Sequence, residues 1–134
     1  MQRRACLMAM TGAMMCPSVA LASYDPAQFV MDTWRTERGG TDLVIYNFRA
    51  SWSLTGNIQA ELLDEIICSD ARFAGLRIVE VDWDTFGPSQ MAQRLKVTRH
   101  STLVAVRGTE VIARVESASS ERALVGMLEA ALAG

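Results

Sequence analysis

The sequence predicts an α/β domain, a mixed four-stranded sheet flanked by helices. Three observations carry this. Leu43-Val44-Ile45-Tyr46 is a short continuous apolar run, the pattern of a strand covered on both faces. Soon after it, Ile58, Leu62, Leu63, Ile66 and Ile67 recur at helical spacing. Towards the C-terminal end, apolar runs at 102–107 and 110–115 are separated only by Gly108-Thr109, which makes them a hairpin.

Each element has its own local reason. Asp25-Pro26 reads as a helix start, with Asp25 as cap and Pro26 in the first turn. Phe29, Val30 and Trp34 form that helix's apolar stripe, and Gly39-Gly40 ends it. The strand at 43–46 runs into a loop containing Trp52, then the helix carrying Ile58 to Ile67. Residues 76–81 alternate as a second strand, and 88–95 suit a short helix. The hairpin supplies the third and fourth strands. Ser119 or Ser120 caps a final helix, with Glu121 in its first turn, where the dipole favours an acid, and Leu124, Met127, Leu128 and Leu132 on one face. Strands joined through helices are parallel by right-handed crossover, while the hairpin pair is antiparallel. Trp34 and Trp83 are expected in or near the core.

The first 22 residues stand apart. Met1-Gln2-Arg3-Arg4 is a basic start, residues 5–19 are mostly apolar, and Ala20-Leu21-Ala22 is a small-residue cleavage pattern. Together they predict a secretory signal peptide over 1–22 and one domain over 23–134, placing the protein in the periplasm or outside the cell. The alternative is a membrane anchor made by an uncleaved signal. Without Arg3 and Arg4, 11 Lys and Arg face 15 Asp and Glu, a net charge of −4. An acidic surface argues against nucleic acid as a partner. Cys6 and Cys16 leave with the signal, so Cys68 is the single thiol of the mature chain. No disulfide within it is then possible, although export leads to an oxidising compartment. One His and one Cys give no familiar metal spacing, and no cofactor is expected.

Phe48-x-Ala50-x-Trp52, then "LLDEI" (62–66), "VDWD" (81–84), "RHSTLVAV" (99–106) and Gly108 follow one another in an order that resembles the thioredoxin superfamily. "CSDARF" (68–73) and the export signal are most similar to its DsbD-type periplasmic branch. The resemblance implies a thioredoxin-like fold over about 43–132. It also implies where the family's chemistry would sit. The C-x-x-C motif falls on Ser53-Leu54-Thr55-Gly56, the buried proton-shuttling acid on Asn47, and the cis-proline on Ser101. A serine hydroxyl forms no disulfide, and an asparagine carries no titrating proton at working pH. The degenerate positions Ser53, Gly56 and Asn47 therefore predict a site without dithiol chemistry and without catalytic residues. Asn47 is expected to be buried beneath Trp52, using its amide to satisfy polar groups there.

The same resemblance implies a peptide-binding groove formed by Trp52, Ser53, Leu54, Thr55, His100 and Ser101. His100 facing Ser53 suggests a nucleophile–base pair, but no acid is in place to orient the histidine, so the expectation is two polar residues on a surface rim. Cys68 shares a helix face with Asp64, Glu61 and Asn57, near the helix C-terminus, where dipole and carboxylates disfavour a thiolate. The expectation is an exported binding or accessory module of periplasmic thiol–disulfide or protein-quality pathways. It takes a protein or peptide partner and is a monomer, with a Cys68-linked dimer as an oxidised form. The alternative is a thiol-dependent redox protein acting through Cys68.

Overall fold

The computed structural model describes residues 26–134. The signal-peptide expectation for 1–22 and the proposed cap Asp25 lie outside the described residues. The chain runs β1 (Ala27–Gln28), α1 (Met31–Glu37), β2 (Leu43–Arg49), α2 (Leu54–Ser69), a 3₁₀ turn (Ala71–Phe73), β3 (Arg77–Asp82), α3 (Trp83–Phe86), α4 (Gln90–Arg94), β4 (Thr102–Arg107), β5 (Glu110–Glu116) and α5 (Glu121–Ala133). The sheet has five strands in the order β1-β3-β2-β4-β5. β3 pairs in parallel with β1 and β2, and β4 pairs antiparallel with β2 and β5.

The α/β class and the mixed sheet are as expected. The strand count differs, because the stretch expected to open a helix at Pro26 forms edge strand β1 instead. Its backbone pairs with Val79 and Glu80, and the Phe29 amide donates to the Glu80 carbonyl at 2.9 Å. This pairing delivers the Phe29 ring against Tyr46 and Phe86, with centroids 6.4 and 4.7 Å away. Helix α1 starts only at Met31, after Val30, which makes no side-chain cap. Smaller differences follow from caps. Ser89 accepts from the Ala92 amide, so α4 begins at Gln90 rather than 88; of the two caps expected for α5, Ser120 is the one used.

Period-two alternation splits β2 between two cores. Val44, Tyr46 and Phe48 face one side, with Val79, Val81, Val104, Phe29, Trp34 and Met91. Ile45 faces the other, with Leu103, Leu63 and Ile67 of α2, Phe73, and Leu124 and Leu128 of α5. Trp34 is buried, and Trp83 packs partly buried against the first cluster. Leu132 is not part of the α5 stripe that packs down: it is 43% exposed, and Ala131 takes the buried place. The β4–β5 turn requires its glycine. Gly108 has φ +66°, and a Cβ there would stand 2.7 Å from the Gly40 carbonyl oxygen.

Candidate functional site

The site lies where β2 ends and α2 begins, at the carboxyl edge of the sheet, where open α/β folds place ligands. Ala50 is fully buried, and its carbonyl accepts from the Ser53 amide at 2.9 Å, closing a turn that pushes Trp52 outward. Ser53 caps α2: its backbone is extended, and its hydroxyl accepts from the Gly56 amide at 3.2 Å. Ser53 is itself buried, so its oxygen is a structural acceptor rather than an exposed nucleophile. Beyond it Leu54 is 74% exposed and Thr55 half-buried. Gly56 is buried, and a Cβ there would make ordinary contacts of 3.5 Å with the Ala50 carbonyl oxygen and Arg49.

The approach to β4 forms the opposite wall. Ser101 is fully buried, with φ +61°, a left-handed conformation strained for a serine. Its amide donates to the Phe48 carbonyl at 2.7 Å. Its carbonyl accepts from the Ser117 amide at 2.7 Å and from Gln59 Nε2 at 3.2 Å. Its hydroxyl lies 2.9 Å from His100 Nδ1 and 3.4 Å from Ser53 Oγ. Ser101 thus stands between Ser53 and His100, which do not pair directly. No cis peptide bond occurs among the described residues.

Trp52 is 63% exposed, and its indole N–H is shared by both oxygens of Asp84, at 3.1 and 3.2 Å. The His100 ring meets Trp52 edge-on at 4.9 Å and Trp83 at 6.4 Å. Trp52, Ser53, His100 and Ser101 are therefore brought together, with Leu54 standing beside them. The sequence reading missed Asp84 and Gln59. The only trace of the first was the aspartate of "VDWD" just past a strand end, and nothing distinguished Gln59 from a surface glutamine.

Beneath α2 a polar layer lines the sheet. Arg49 donates to Glu80 at 3.0 Å and to Asn57 at 2.9 Å, tying β2, β3 and α2. Asn47 is 1% exposed, as anticipated, but it satisfies nothing. Neither amide atom has a hydrogen-bond partner among the described residues, nor do Gln59 Oε1 and Arg49 Nε. The expected use of the Asn47 amide fails because its face neighbours across β4 and β3 are Leu103 and Glu80, and Glu80 is engaged with Arg49.

Cys68 lies 15 residues beyond Ser53, about 22 Å along the helix at 1.5 Å per residue. The structure does not bring it to Trp52 and His100. It is half-buried, and its thiol contacts the Asp64 carboxylate at 3.4 Å. Among the described residues no group of three or more His, Cys, Asp and Glu is placed to hold a metal ion, and no helix is long and apolar enough to cross a membrane.

This arrangement, a mixed sheet between helices with a tryptophan loop facing the start of β4, is the thioredoxin fold. Trxlp of Edwardsiella tarda superposes with a TM-score of 0.65 at 21% identity, over 78% of this chain and 98% of that one. The thioredoxin Mala s 13 of Malassezia sympodialis gives 0.65 at 20%, over 83% and 95%. Thioredoxin of Trypanosoma brucei brucei gives 0.67 at 13%, over 88% and 100%. No protein-family model matches the sequence, and no curated protein matches it significantly.

Proposed function

We propose that this is an exported thioredoxin-fold protein without dithiol redox chemistry, which uses the groove around Trp52 and His100 to hold an extended peptide or protein segment. The observation that carries the reading is the Ser53–Gly56 pair at the start of α2. In the thioredoxin alignment both sulfurs would stand there, and here one position is a hydroxyl spent on a helix cap and the other has no side chain. Asn47 in place of the buried acid, and Ser101 in place of the proline, agree with it. An exposed indole and Leu54 beside a half-buried histidine offer apolar area with little to react. The basic, apolar and small-residue order of 1–22 supports export, and "CSDARF" supports a place near the DsbD-type branch, in thiol–disulfide or protein-quality pathways.

The test has two arms. Insulin reduction by dithiothreitol in the presence of the protein should match the protein-free blank, and a rate above blank would overturn the redox-silent reading. Reduced and alkylated insulin B chain, an extended peptide without thiols, should shift Trp fluorescence in wild type and Cys68→Ser alike. The shift should be lost in Trp52→Ala. A response that requires Cys68 would favour the thiol-dependent alternative.

A further inference from the structure

Beside Trp52 the surface opens into a pocket of about 560 Å³ lined by Trp83, Asp84, Gly87, Pro88, Val97 and Thr98. That is the size of a small-ligand cleft, though this one is open to solvent. Its floor depends on Gly87. A Cβ at that position would stand 2.7 Å from the Trp83 carbonyl oxygen and 3.0 Å from the indole, so the glycine lets Trp83 lie against the backbone of its own helix. Trp83 packs partly buried on the Phe29–Tyr46–Phe86 side of the core and still lines the pocket.

Asp84 is the only ionisable residue of the lining. Lys96 and Arg99 flank Val97 and Thr98 in the chain but do not line it. Both Asp84 oxygens share a single donor, the Trp52 indole, and among the described residues Asp84 takes part in no ion pair. An ionised carboxylate offers about four lone-pair sites, so most of its accepting capacity is unspent. An indole and a carboxylate side by side complement one kind of side chain. A guanidinium gains a cation–π contact with the ring and charge-assisted hydrogen bonds from the acid, while its alkyl stem covers apolar surface. A neutral or acidic side chain gains neither electrostatic contribution.

We propose that this pocket receives the arginine side chain of an extended peptide whose neighbouring apolar residue lies on Trp52 and Leu54, so that the groove selects basic peptides. The proposal rests on the peptide-binding reading above and names its partner's chemistry. Arginine is favoured over lysine because its planar fork meets both the ring face and the carboxylate edge.

The test uses the purified chain and three probes differing at one residue: N-acetyl-Leu-Ala-Arg-amide, its citrulline counterpart and its glutamate counterpart. Citrulline keeps the shape and removes the charge. The arginine peptide should bind at least tenfold tighter than the citrulline one by calorimetry, and should move the Trp83 indole N–H resonance. Asp84→Asn keeps an acceptor for the Trp52 indole and should bring the two affinities together. Equal affinities in wild type, or a preference that survives Asp84→Asn, would overturn the proposal. If all three peptides bind equally and Trp52→Ala abolishes binding, the groove reading stands and the basic selectivity falls. If none of them binds, nor the alkylated insulin B chain, both readings fall.

Discussion

Asn47 gives the sharpest test of the polar layer beneath α2. It is 1% exposed with neither amide atom hydrogen-bonded among the described residues. A buried polar group left without a partner costs about 1–3 kcal/mol, and replacing it by an apolar group of similar shape removes that cost. Asn47→Leu should therefore stabilise the fold by about 1–3 kcal/mol. For a domain of this size that is a rise in Tm of about 4 °C per kcal/mol. Asn47→Asp should do the reverse, with a pH signature. Burial raises the folded-state pKa of the introduced carboxyl, and Glu80, in register across β3, raises it further. Arg49 opposes this but is already bonded to Glu80. With a raised folded pKa, the penalty is absent below the unfolded value near pH 4. It grows as pH rises through the window and is complete above the folded value, reaching about 1.4 kcal/mol for every pH unit between the unfolded and folded pKa. Urea melts of the three proteins at about pH 4 and about pH 8, each variant compared with wild type at the same pH, decide it. A loss of 1 kcal/mol or more in Asn47→Leu would show that the amide is in use, and equal penalties for Asn47→Asp at both pH values would place residue 47 in solvent.

Three further outcomes are expected. Gly126 is exposed in the middle of α5, with nothing within 4 Å of an added Cβ, so Gly126→Ala should stabilise by up to about 1 kcal/mol in the same melts. Gly108→Ala should destabilise by at least about 1–2 kcal/mol, because the turn demands positive φ and a Cβ would press on the Gly40 carbonyl; a neutral result would mean the turn relaxes. Hydrogen bonds from Arg72 hold the Asp70 carboxyl below its usual pKa, so its contribution is present above the unfolded value and lost as pH falls through the folded one. Asp70→Asn, which keeps an acceptor for the Arg72 amide, should lower Tm at about pH 7, and the difference should shrink as pH falls below about 4.

What the sequence revealed follows from how local each cause is. Strands β2 and β4 announce themselves because burial on both faces demands an unbroken apolar run. Helices α2 and α5 do so because Leu63, Ile66, Ile67 and Leu124, Met127, Leu128 recur on one side. Strand β1 was illegible. Two residues after Asp25-Pro26 carry every local mark of a helix start, and only the non-local pairing with Val79 and Glu80 makes them a strand. The cluster of Trp52, Ser53, His100 and Ser101 was legible where the resemblance and the ends of strands coincide. Its fixings were not. Asp84 is 32 residues from the indole it anchors, and Gln59 is 42 from the carbonyl it caps, so no spacing rule links them.

Ser101 shows why those fixings decide the site's character. A left-handed serine costs of order 1–3 kcal/mol and persists only where its surroundings over-determine it. Here they do: its amide, carbonyl and hydroxyl are all engaged, by Phe48, Ser117, Gln59, His100 and Ser53. A segment held by that many bonds keeps the His100 ring edge-on to Trp52, with centroids 4.9 Å apart. The Ser53 hydroxyl accepts from the Gly56 amide and can form no disulfide, so at this position the cap is structural.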